Sequence, residues 1–247
     1  IKTTKNKMAF NLKAFLFETI ACFLLVFFTA VNKVDGGSTA FIIGFYALFA
    51  ALGRNWNAGH LNPATTGGLI IAKAIDAKDG LVLIGGQILG SFIGFILPHV
   101  MESDAHKAAT ATPFYNFSDG DQLASDAQGD YMIQIAGIVV YTLIATMLVG
   151  FVFTGLYLTT KCVYRTGIIT LFLFYYVATV LSNGTNIPFR GSFNLIENIW
   201  GLLSDRPDGS KLTDRTQWII NLVVGAAGNI GGAALAKFVA FKDDKVE

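Results

Sequence analysis

Charge is scarce in this chain: 14% of its 247 residues are Asp, Glu, Lys or Arg, against about 25% in an ordinary soluble domain. An ordinary cytosolic enzyme is excluded on that ground. The 18 basic and 17 acidic residues leave a formal charge of +1, and no basic cluster between the termini could hold a polyanion, so nucleic-acid binding drops out. Cysteine is sparse as well. Cys22 and Cys162 fall in or beside different apolar segments and offer neither a disulfide framework nor a metal-ligand spacing. The three histidines, His60, His99 and His106, form no spaced metal set and no triad, so neither a cofactor nor a catalysed reaction is expected.

What the chain has in quantity is apolar surface: 53% hydrophobic residues, 13% aromatics and 26 glycines. That mixture suits helices packed closely in lipid with rings at the interfaces. Six continuous runs are long enough to cross a hydrocarbon core, at roughly residues 14–31, 38–53, 81–101, 132–158, 167–181 and 218–239. They do not alternate, which argues against strands. Lysines of the first thirteen residues, Lys73, Lys78, Lys161, Arg165 and the lysines of the tail fall on one side of a six-span bundle, the side that positive charge prefers. The acidic loop 102–130 falls on the other. The stretch Ile1 to Lys13 has no apolar core, so no secretory signal peptide is visible. A start at Ile1 fits removal of a presequence, as in an imported organellar protein, and equally a sequence that begins late. The plasma membrane and organelle membranes, the mitochondrial inner membrane among them, all remain open.

Between the second and third runs, residues 57–72 are too apolar for a solvated loop and too short to span. They read as re-entrant. Asn62 suits the cap of a short helix and Pro63 its first position, where no backbone donor is missed. A half-helix at membrane depth is tolerated only where it is buried in protein or lines a watery cavity. The second half repeats the plan with Pro188 after the fifth run, and Gly86-Gln87-Ile-Leu-Gly90 echoes Gly228-Asn229-Ile-Gly-Gly232. Three spans plus a half-helix, occurring twice, make an inverted-topology repeat. Its first copy covers about 12–101 and its second about 131–240 of one membrane domain, 1–247.

These residues resemble the aquaporin and glycerol-facilitator family of membrane channels. Gly59-His60-Leu61-Asn62-Pro63-Ala64-Thr65-Thr66 is similar to the family's first Asn-Pro-Ala box with its leading His-Leu, and Glu18 and Gln87 stand at family-like positions. The resemblance spans roughly residues 12–240. It implies an all-α membrane fold of six transmembrane helices and two re-entrant half-helices, and a homotetramer with one pore per subunit. It assigns Asn62, Pro63 and Ala64 to the pore, with Glu18, His60 and Gln87 in support.

The second box departs from the pattern. Asn186-Ile187-Pro188-Phe189-Arg190 stands where Asn-Pro-Ala-Arg belongs, so either Ile187 replaces the asparagine or it is an insertion after Asn186. Phe189 adds bulk where a small residue lets the two half-helices touch. The acid expected in the fourth span, opposite Glu18, falls at Tyr141. The resemblance also implies a narrow filter of Phe41 (or Ile42), Tyr176 (or Tyr175), Thr185 and Arg190, the arginine repelling cations and the rings setting the width. Two functions follow from the resemblance and its defects: a passive channel for water, with glycerol or another small neutral solute, or a non-conducting structural subunit of a larger membrane complex. The expected partners are membrane lipid with small neutral solutes for the first, and other membrane subunits for the second.

Overall fold

Among the residues that the computed structural model describes, 11–34, 39–53, 56–101, 128–158, 199 and 212–240, every regular element is a helix. In chain order they are α1 (Leu12–Val34), α2 (Thr39–Gly53), the short α3 (Pro63–Ile71), α4 (Ala77–Met101), α5 (Gln128–Leu158) and α6 (Leu212–Leu235). The last of these widens into a π-helical turn, Ala236–Ala240. Local chemistry marks several of the ends. Asn11 Oδ1 accepts from Ala14 N–H at 3.1 Å and so opens α1, and Asp76 Oδ1 accepts from Lys78 N–H at 2.8 Å and opens α4. The fifth apolar run, 167–181, lies outside the described residues.

α1 packs along α4, and α5 packs along α6. Both pairs are held at close range by glycine. A Cβ on Gly90 would overlap the carbonyl oxygen of Thr19, and one on Gly232 would overlap that of Met147. The two glycine pairs that echo each other in the sequence therefore do the same thing: they let one backbone rest on another, as close helix packing in lipid requires. α3 lies against α4, α5 and α6, so the first re-entrant helix is enclosed by elements of both halves.

Several polar side chains are fully buried while many large apolar ones face outward. Glu18, His60, Thr66 and Gln87 have no exposure at all, while Leu81, Ile88, Leu89, Phe92 and Ile93 of α4 and Val223 of α6 lie open on the outside. Lipid solvates such a surface. Among the described residues, two stretches, Ala77–Leu97 and Leu222–Val239, are helices long and apolar enough to cross a membrane. An apolar cluster of Ala21, Cys22, Leu25, Tyr46, Leu61, Val149 and Phe153 fills the space where α1, α2 and α5 meet the entry to α3. Cys22 in that cluster is a free thiol.

Candidate functional site

The nine residues of α3 begin at a built cap. Asn62 is extended, with φ −153° and ψ 122°, and its Oδ1 accepts from Ala64 N–H at 3.0 Å. Pro63 occupies the first helical position, where its missing N–H costs nothing. The cap uses the oxygen of the Asn62 amide; the other end of that amide is a donor. The far end of α3 closes just as tightly: Lys73 N–H reaches the Ile70 carbonyl and Ala74 N–H reaches the Leu69 carbonyl, each at 2.9 Å. That is the double bond pattern of a left-handed helix stop, with Lys73 at φ 54° where glycine is usual.

Ahead of the cap, residues 58–61 belong to no regular element, and buried backbone donors there need acceptors from elsewhere. Glu18 provides them. Its Oε1 accepts from Gly59 and His60 N–H, both at 2.7 Å, and its Oε2 accepts from Leu61 N–H at 3.0 Å and from Gln87 Nε2 at 3.1 Å. A buried carboxylate with four donors is well compensated. Gly59, at φ 87°, lies so close to α2 that a Cβ would come within 2.8 Å of the Phe49 carbonyl oxygen. Only glycine fits the turn at that distance.

His60 is fully buried with both ring nitrogens taken. Nδ1 meets Thr66 Oγ1 at 3.1 Å and Nε2 meets the Tyr157 hydroxyl at 2.7 Å, which suits a neutral imidazole with one donor and one acceptor. Gln87 Nε2 donates to Thr66 Oγ1 at 2.9 Å, and the Tyr46 hydroxyl donates to the His60 carbonyl at 3.0 Å. A continuous hydrogen-bonded chain therefore runs from Tyr157 in α5 through His60, Thr66 and Gln87 to Glu18 in α1.

Beside this geometry stands the comparison with known proteins. A family model described as major intrinsic protein matches residues 4–194. The chain belongs to the major intrinsic protein family. It is similar to a "Probable aquaporin TIP-type" of Medicago truncatula, 34% identical over 125 residues that cover 44% of this chain and 48% of that one. It is also similar to a "Probable aquaporin TIP2-2" of Oryza sativa subsp. japonica, 33% identical over 104 residues covering 36% and 42%. The chain thus spans less than half the length of these relatives. Family membership makes this an integral membrane protein of all-α, aquaporin-like fold.

Within this member of the family, the structure brings Glu18, His60, Asn62, Pro63, Ala64 and Gln87 into one buried cluster. Phe41 and Ile42 lie in α2, their side chains outside the described residues. Tyr175, Tyr176, Thr185, Asn186, Ile187, Pro188, Phe189 and Arg190 are also outside them.

One expectation is corrected. A Cβ on Gly86 would meet the Phe15 carbonyl and one on Gly228 the Leu143 carbonyl; on Gly90 and Gly232 the partners are Thr19 and Met147. Phe15 thus corresponds to Leu143 and Thr19 to Met147, which places Thr146, and not Tyr141, opposite Glu18. Tyr141 is more than a turn away along α5. By the same register Asn229 corresponds to Gln87. Among the described residues, the Thr146 hydroxyl donates to the Thr142 carbonyl at 2.7 Å, and Asn229 Nδ2 to the Gly225 carbonyl at 3.3 Å. Thr65 and Thr66 stand in the first box but had no role of their own in the sequence pattern, and Tyr46 and Tyr157 had no place in it. The available signal was their polarity within otherwise apolar helices.

Proposed function

We propose that this protein is a passive transmembrane channel for water, and that its pore also admits glycerol or another neutral solute of that size. The observation that carries the reading is the Asn62 cap: a buried half-helix that opens on a side-chain amide whose oxygen accepts from Ala64 N–H. Such an amide donates to the oxygen of a passing water or hydroxyl while the positive end of α3 opposes cations. The resemblance to two probable aquaporins supports the same reading. Transport is downhill and calls for no cofactor. Asn186, or Ile187 in its stead, with Pro188 and Phe189, forms the second box, and Phe41, Tyr176, Thr185 and Arg190 form the filter. The single membrane domain is surrounded by lipid of the plasma membrane or an organelle and assembles as a homotetramer.

A second reading, a non-conducting structural subunit of a larger membrane complex, is favoured by one feature of the sequence, the bulk of Phe189 in the second box. Osmotic shrinkage of proteoliposomes, followed by stopped-flow light scattering against empty liposomes, separates the two. Faster shrinkage with the native chain is the expected result, and a glycerol gradient then reads the second solute. Flow no faster than in empty liposomes, from correctly folded protein, overturns the channel. Recovery of flow in Phe189→Ala would then identify the ring as a plug.

A further inference from the structure

Three buried bonds tie the first re-entrant segment to the half of the chain to which it does not belong, one of them from the Tyr157 hydroxyl to the Ala58 carbonyl at 3.3 Å. Tyr157 of α5 meets His60 Nε2 at 2.7 Å, just ahead of the Asn62 cap, and Asn229 of α6 accepts from Thr65 Oγ1 at 3.1 Å, just after it. All four side chains are buried. From the opposite side Glu18 and Gln87 hold the same segment to the first half. A helix of nine residues has little stability of its own, so its place is fixed by neighbours. Gly68 on α3 faces the same stretch of α6: a Cβ there would lie 2.9 Å from Ala233 Cβ and 3.3 Å from the Asn229 carbonyl oxygen. The contact between α3 and α6 is therefore close as well as hydrogen-bonded.

Asn229 occupies the place that Gln87 holds in the other repeat, and it serves the first half-helix. We propose that Tyr157 and Asn229 are positioning residues that clamp the first half-helix onto the second half of the chain and so set where the Asn62 amide stands. The clamp itself stands on the three bonds. Its effect on flow rests on the channel reading above.

The test uses the full chain in lipid nanodiscs and in liposomes. Hydrogen–deuterium exchange of peptides covering residues 58–72 reports the hold on α3 whether or not the protein conducts. Thr65→Val and Tyr157→Phe each remove one hydroxyl, and each is expected to speed exchange there by about fivefold. Thr65→Ser keeps the donor and is expected to match the native chain. The double variant Thr65→Val/Asn229→Leu removes donor and acceptor together, so no polar group is left buried without a partner, and thermal stability returns toward native. Exchange stays fast in that variant, and water permeability stays about fivefold low. A merely structural bond would let both recover with stability. Native exchange rates in Thr65→Val and Tyr157→Phe, or native flow in the double variant, overturn the proposal. If the native chain carries no water, the channel reading fails by itself and the exchange rates alone decide the clamp.

Discussion

Thr146 stands in the second half of the chain where Glu18 stands in the first: Glu18 lies one turn before Cys22 on the helix whose carbonyls receive Gly86 and Gly90, and Thr146 lies one turn before Gly150 on the helix whose carbonyls receive Gly228 and Gly232. One place holds a carboxylate that accepts three backbone N–H groups of the first box. The other holds a hydroxyl turned back onto its own helix.

Substitution of the two residues should therefore be unequal. Glu18→Gln puts an amide donor against backbone donors and loses charge-assisted bonds worth about 1.5–3 kcal/mol each, so a loss of about 3 kcal/mol or more is expected. Thr146→Val should cost about 1 kcal/mol. Thermal unfolding of the detergent-solubilised protein, followed by tryptophan fluorescence, checks the pair. Similar shifts in the two variants would contradict the assignment.

The glycine contacts give a second contrast. Gly90→Ala and Gly232→Ala place a methyl group on a backbone carbonyl of the neighbouring helix, and each is expected to cost about 1–3 kcal/mol or to prevent stable folding in the membrane. Among the described residues, nothing lies within 4 Å of the corresponding position on Gly67 or Gly231. Alanine at either is expected to be neutral or to stabilise its helix by up to about 1 kcal/mol. The yield of monodisperse protein and its melting temperature separate the two groups.

Lys73 ends α3 in the left-handed region, at φ 54°, and is exposed. Lys73→Gly is expected to stabilise the protein by about 0.5–1 kcal/mol, since the turn is kept and its conformational cost falls. A lowered melting temperature would show that the lysine side chain contributes more than the strain removes.

The outline of the first box was legible before the structure because its signals are local. Asn62 followed by Pro63 specifies a helix start through one residue's side chain and the next residue's ring. The apolar runs at 14–31, 38–53, 81–101 and 132–158 likewise announce α1, α2, α4 and α5. Thr146 was not legible, because a uniformly apolar helix offers no landmark for counting, and its register is set by glycines on α6 that lie far along the chain. The partners of His60 and Thr65 were hidden for the same reason. Tyr157 and Asn229 are single polar residues whose role depends on which helices become neighbours. The stop at Lys73 was hidden in another way: such a stop is normally written with glycine, and here the chain makes it with a lysine whose N–H bonds the Ile70 carbonyl.

The central claim, that the Asn62 amide is a solute-facing donor at the mouth of a half-helix, is tested most directly at Asn62 itself. Asn62→Asp keeps the acceptor that caps α3, which aspartate supplies as well as asparagine, and removes the amide donor while adding negative charge. Osmotic water permeability of proteoliposomes should fall by between about fivefold and a hundredfold, with helix content and melting temperature near native and a measurable cation leak. Native water flow through a folded Asn62→Asp protein would contradict the account.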